Sequence, residues 1–113
     1  MRFPMLGVAL ALLSAPALAS TPQVKLAQGA VSGVQQDGIQ MFRGIPFAGD
    51  TGGDQRWRPP SPPPSWRGVR DGSQPGPICP QAPDKYAGGS DWTADYRMGE
   101  DCLNLSVYAP AAA

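Results

Sequence analysis

Histidine is absent from the 113 residues. Without it, this chain alone can build no Ser-His or Cys-His nucleophile pair, no His general base and no His-ligated zinc. Cysteine is scarce. Cys79 and Cys102 are too few for a Cys-only zinc site, although they can form one disulfide. No metal and no cofactor are expected. Charge of one sign is also missing in excess, with 9 Lys+Arg against 9 Asp+Glu. That balance lacks the basic footprint of a nucleic-acid binder, so no nucleic-acid partner is expected.

Only one long apolar run is present, Met5 to Leu13, behind the positive Arg2 and ahead of Ala17-Leu18-Ala19. A basic start, a short apolar stretch and an A-x-A site are the marks of a secretory signal peptide over residues 1–19. The run is shorter than the ~20 apolar residues that cross a bilayer, so no membrane span is expected. Cleavage after Ala19 leaves residues 20–113 and a secreted or periplasmic protein, in a compartment where Cys79 and Cys102 can pair.

Large aliphatics are few as well. Residues 20–113 hold thirteen Leu, Ile, Val and Phe, while Gly and Pro together make up about a quarter of them. So little apolar surface cannot offset roughly 1–2 kcal/mol of backbone entropy per ordered residue. The chain therefore reads as part of something larger.

What remains falls into three segments. Val24-Lys25-Leu26, Val31 to Val34 and Ile39 to Ile45 are short strand-like runs broken by glycine, with a hairpin signal at Asp37-Gly38. Gln35-Gln36 extends that loop beyond two residues, and the whole predicts a small antiparallel sheet. From Ala48 to Tyr96 no period of 2 or 3.6 survives. Pro59, Pro60, Pro62, Pro63 and Pro64 enforce extended backbone there, and Gly52-Gly53 and Gly88-Gly89 break it further. Trp57, Trp66 and Trp92 argue against a free linker, because indoles bury area in ordered structure. Finally, Leu103 to Tyr108 alternates as a strand with Leu103, Leu105 and Val107 on one face, and nothing downstream is there to pair with it.

Five blocks then carry a resemblance. Phe42-Arg43-Gly44-Ile45-Pro46-Phe47-Ala48 resembles the F-R-G-I-P-[YF]-A segment of type-B carboxylesterases, the family that includes the cholinesterases. Arg56-Trp57-Arg58-Pro59-Pro60, Trp66-Arg67-Gly68-Val69-Arg70-Asp71 and Gly76-Pro77-Ile78-Cys79-Pro80-Gln81 follow in that family's order. Glu100-Asp101-Cys102-Leu103-Asn104-Leu105-Ser106-Val107 resembles its E-D-C-L-x-L-[ND]-[VI] signature. Departures are Asn104 where an aromatic is usual, Ser106 where Asn or Asp is commoner, and Asp50-Thr51-Gly52-Gly53 in place of a proline-rich stretch.

The resemblance implies the N-terminal portion of an α/β-hydrolase fold. This chain would supply a small antiparallel sheet, a long Pro/Gly-rich disulfide-closed loop and one strand of the main sheet, mostly β and coil. It implies a carboxylic ester as the small-molecule substrate and a Ser-His-acid acyl-enzyme mechanism. The family's oxyanion-hole glycines, G-x-S-x-G elbow, acid and His lie downstream of the matched region. None of them is in this sequence. Gly88-Gly89-Ser90-Asp91-Trp92 begins like an elbow but lacks the final Gly and the preceding apolar strand, so no catalytic residue is assigned.

Four further assignments come by resemblance. Cys79 and Cys102 match the family's first disulfide, on the rim of the active-site gorge. Trp92 stands ten positions before Cys102, where cholinesterases place the indole that holds a quaternary ammonium. An indole face suits a cation, and an indole serves equally as a hydrophobic wall or loop anchor. Arg43 and Glu100 resemble a structural ion pair that ties the early sheet to the base of the loop. The missing remainder of the domain is the implied partner. Two other identities fit the composition: a small exported disulfide-stapled binding module using Trp57, Trp66 and Trp92 as contacts, and a truncated reading frame without function.

Overall fold

The computed structural model describes residues 21–83 and 91–111, with the backbone but not the side chain of Trp92. The signal peptide expected over residues 1–19 and the elbow-like Gly88-Gly89-Ser90 lie outside these residues. Six strands are present among the described residues: β1 (Gln23–Lys25), β2 (Ala30–Ser32), β3 (Val34–Gln36), β4 (Ile39–Pro46), β5 (Val69–Asp71) and β6 (Asn104–Pro110). Single 3₁₀ turns occupy Gly53–Gln55 and Trp92–Asp95. Strand and coil dominate, and no described helix is long and apolar enough to cross a membrane.

The strands form two three-stranded sheets, β1-β2-β5 and β3-β4-β6, where the sequence pattern suggested one. The division falls at Gly33, inside the run Val31 to Val34. A Cβ there would lie 2.5 Å from the Met41 carbonyl and 2.7 Å from the Phe42 ring, so only glycine lets the chain cross over Phe42. β1 and β2 are antiparallel, but β2 and β5 pair in parallel, Ala30 opposite Val69 and Ser32 opposite Asp71.

In the second sheet the β3–β4 hairpin turns on Asp37-Gly38, both at positive φ (50° and 76°), as a two-residue turn between right-twisted strands requires. Gln36 pairs with Ile39 and Gln35 with Gln40, so the glutamines belong to the strand and not to the loop. β6 finds its partner upstream. It pairs antiparallel with β4, Ile39 opposite Pro110 through Pro46 opposite Asn104.

The β4–β6 ladder carries a bulge. Phe42 pairs with Val107 and Ile45 with Leu105, so Arg43 and Gly44 together oppose Ser106. Gly44 supplies the left-handed backbone of the bulge, at φ 63°. The extra residue returns Ile45 to the face that Phe42 occupies. Both are buried, and with Val31 they form the core, against which Val24, Leu26 and Trp66 pack.

Hydrogen bonds through Gly72 join the sheets. Its N–H donates to the Ser32 carbonyl at 2.8 Å, and its carbonyl accepts from the Arg43 N–H at 2.9 Å. The end of the proline-rich run is held by Trp66. Its indole Nε1–H donates to the Ala30 carbonyl at 2.8 Å and its ring sits below the Arg70 guanidinium, 5.6 Å from the centroid. Trp66 is therefore part of the scaffold.

Candidate functional site: a disulfide-closed wall

Cys79 and Cys102 are joined in a disulfide with Cα atoms 5.0 Å apart. The segments leading into it run together. Ile78 and Met98 form a parallel bridge, in which the Ile78 N–H donates to the Arg97 carbonyl at 2.9 Å and the Gly99 N–H donates to the Ile78 carbonyl at 3.1 Å. Asn104, the departure from the family's usual aromatic, has a local task. Its side-chain N–H₂ donates to the Pro77 carbonyl at 2.9 Å and to the Cys102 carbonyl at 3.2 Å, linking the start of β6 to the segment before Cys79.

Within the closed loop, the Asp91 carboxylate accepts from the Thr93 N–H at 3.0 Å and from its hydroxyl, capping the 3₁₀ turn that Trp92 opens. Thr93 is buried. The turn fixes where the Trp92 backbone stands, and the ring itself lies outside the described side chains.

The Arg43–Glu100 pair expected from the sequence does not form. Glu100 pairs instead with Arg56 through the guanidinium Nε–H. The reason lies in the segment around Gly52-Gly53, which the sequence presented only as a loss of prolines. Thr51 donates its hydroxyl to the Glu100 carbonyl at 2.6 Å, and the Gly52 N–H donates to the Asp50 carboxylate at 2.8 Å. The loop so held delivers Arg56 to Glu100. Its hydrogen bond to Arg56 lowers the Glu100 carboxyl below its usual range, and the same contact raises the guanidinium. Both groups face solvent, with side-chain exposures of 60% and 36%, so the pair holds position more than it contributes stability.

Arg43 lies elsewhere. Its Nε is buried and has no hydrogen-bond partner among the described residues. The side chain borders an open cavity of about 440 Å³ beside the disulfide, whose other polar walls include Tyr96, Asn104, Ser106 and Tyr108. Sequence reasoning missed this cavity because its walls come from segments far apart in the chain, around Arg43, Pro75 to Gln81 and Tyr96 to Tyr108, which no local pattern brings together. Among the described residues, no three His, Cys, Asp or Glu side chains converge to hold a metal ion. What the arrangement offers is a covalently closed wall.

Large apolar side chains are left in water around that wall. Trp57, held at φ 64°, is fully exposed, and Phe47, Leu105, Val107 and Tyr108 are each exposed by two-fifths or more. β6 ends its sheet, so its outer edge is unpaired among the described residues.

Comparisons with known proteins match this picture. Residues 20–113 match the model of the carboxylesterase family. Fumonisin B1 esterase of Sphingopyxis macrogoltabida is 41% identical over 99 residues, covering 84% of this chain and 17% of that protein. Human cocaine esterase is 44% identical over 81 residues, covering 66% of this chain and 14% of that protein. A solved PNB esterase superposes with a TM-score of 0.70 at 33% identity, over 82% of this chain and 19% of the other. The chain thus spans about a sixth of the length of the curated relatives it matches.

Proposed function

Because the chain belongs to the carboxylesterase family, we propose that it supplies the opening β scaffold and the disulfide-closed wall of a carboxylic ester hydrolase domain. The observation that carries this reading is β6. It ends its sheet with an open outer edge, and Leu105 and Val107 stay half in water although they share the face of Phe42 and Ile45. A strand so placed suits the interior of a larger sheet, since an exposed apolar edge is otherwise a liability.

In that domain the acyl-enzyme chemistry belongs to a Ser nucleophile, a His base, an acid and oxyanion N–H donors supplied by further polypeptide. This sequence has no His, so its share is structural: it orients a wall against the ester. The resemblance to the cholinesterases makes Trp92, at the start of the capped turn within the disulfide loop, the residue that meets a cationic ester. A W92A change should then raise KM for a cationic ester more than for a neutral one. The protein is exported, and the signal peptide leaves after Ala19. Intact-mass analysis of the exported chain should give a product beginning at Ser20.

The deciding measurement is hydrolysis of a short-chain nitrophenyl ester. The chain alone should be inert, and addition of the polypeptide that completes a carboxylesterase domain should bring activity that a serine-directed phosphonate abolishes. Turnover by the chain alone, blocked by the same phosphonate, refutes the proposal. The binding-module alternative draws on fully exposed Trp57. A sharp thermal transition of the monomeric chain with dispersed amide resonances would favour it.

A further inference from the structure

Arg43 poses a physical problem that the described residues do not solve. Its Nε is sealed from solvent with no acceptor, and a buried charged donor left unpaired costs more than a neutral one. The carboxylate that the sequence suggested for it, Glu100, is taken by Arg56. Among the described residues, no Asp or Glu stands in the wall of the cavity that Arg43 borders. Ser106 and Tyr108 bring hydroxyls, not negative charge, to that wall. The Asn104 N–H₂ is already committed to Pro77 and Cys102.

The geometry points to Arg43 as the anchor for a carboxylate side chain, carried by the polypeptide that completes the domain across β6. This inference rests on the reading given under Proposed function. Guanidinium and carboxylate match through two parallel, charge-assisted N–H···O bonds, stronger than those a neutral acceptor makes. The polypeptide source follows from position. Ser106 and Tyr108 bring the cavity onto β6, the strand whose outer edge is open, and Tyr108 is 60% exposed. The relatives are about six times longer than the matched segment, so ample chain exists to cover strand and cavity together.

The test co-expresses the tagged chain with fumonisin B1 esterase of Sphingopyxis macrogoltabida lacking the segment that this chain matches. The wild-type chain should capture that remainder, more weakly as salt rises. R43M should weaken capture by about tenfold or more and remove the salt dependence, while R43K retains both. R43Q replaces R43M if the latter fails to form the Cys79–Cys102 bridge. Excess acetate should compete better than chloride at equal ionic strength.

Undiminished, salt-sensitive capture by R43M and R43Q overturns the inference and leaves the reading beneath it intact. No capture by wild type overturns both. Acetate bound by the chain alone through Arg43, with no effect on capture, would assign the site to a free anion and overturn the polypeptide source. Self-association that depends on Arg43 would do the same in favour of a second copy.

Discussion

Reduction of the Cys79–Cys102 bridge should loosen one place and leave the rest of the chain alone. The bridge closes a segment with a sequence separation of 23, at whose base Ile78 and Gly99 hold the Ile78–Met98 pairing. When that pairing opens with the bridge intact, the loop stays tethered. Without the bridge the open state gains the freedom of the whole loop, worth ~3 kcal/mol on the chain-entropy account. At about 1.4 kcal/mol per tenfold, exchange of the Ile78 and Gly99 amides with deuterium should accelerate by up to roughly two orders of magnitude. The Phe47 amide, bonded to the Leu103 carbonyl at 3.0 Å, and the β3–β4 amides lie outside the closed loop and should change far less. Hydrogen exchange by mass spectrometry on the oxidised chain, the reduced chain and a C79A/C102A variant reads this directly. Equal protection of Ile78 and Gly99 in all three would refute the assignment of that anchoring to the disulfide. A uniform loss across β3, β4 and β6 would refute its local character.

Three other outcomes follow from named contacts. In exported material an unreduced digest should show Cys79 and Cys102 linked, with neither alkylated; two alkylated thiols would contradict the pairing. Trp66→Phe deletes the 2.8 Å bond to the Ala30 carbonyl and should cost ~1 kcal/mol, seen as about fivefold faster exchange in β2 with the β4–β6 amides unmoved. The Arg56–Glu100 contact depends on pH with a definite sign. The folded Glu100 carboxyl is held below its ordinary 4.5, so the contact is complete above that value and is lost as pH falls through the lowered one. The Arg56 Nε–H resonance should shift in that acid window and in no other below neutrality. E100Q should abolish the shift, and a titration that persists in E100Q would contradict the pairing.

Local chemistry was legible in the sequence, and distant pairing was not. Asp37-Gly38 announced its turn because two positive φ values need those residue types, and Leu103 to Tyr108 announced a strand by alternation. Gln35 and Gln36 misled because an edge strand facing water on both sides carries polar residues like a loop. β5 was invisible: Val69, Arg70 and Asp71 are all exposed, so burial wrote no period into them, and their pairing with β2 comes from a partner nearly 40 residues away. The partner of Glu100 failed for a similar reason. Arg43 and Arg56 are both arginines within blocks that carry the family resemblance, and only the turn around Gly52 selects between them. The buried Arg43 Nε, unpaired among the described residues, had no signal at all, because burial of a single atom depends on segments distant in the chain.

That bulge makes parity, rather than length, the quantity that β4 must preserve. Phe42 and Ile45 are three residues apart, an odd step that in a plain strand would send them to opposite faces, yet both lie in the core. Deleting either Arg43 or Gly44 would therefore do more than shorten the strand. It would leave Phe42 and Ile45 an even step apart without the bulge, preserving the core while removing the extra residue that the bulge inserts opposite Ser106. Deleting both would restore the odd step and turn Ile45 outward, exchanging it for Pro46. A single deletion at this point is the milder lesion and a double deletion the ruinous one, the reverse of what counting lost residues would suggest.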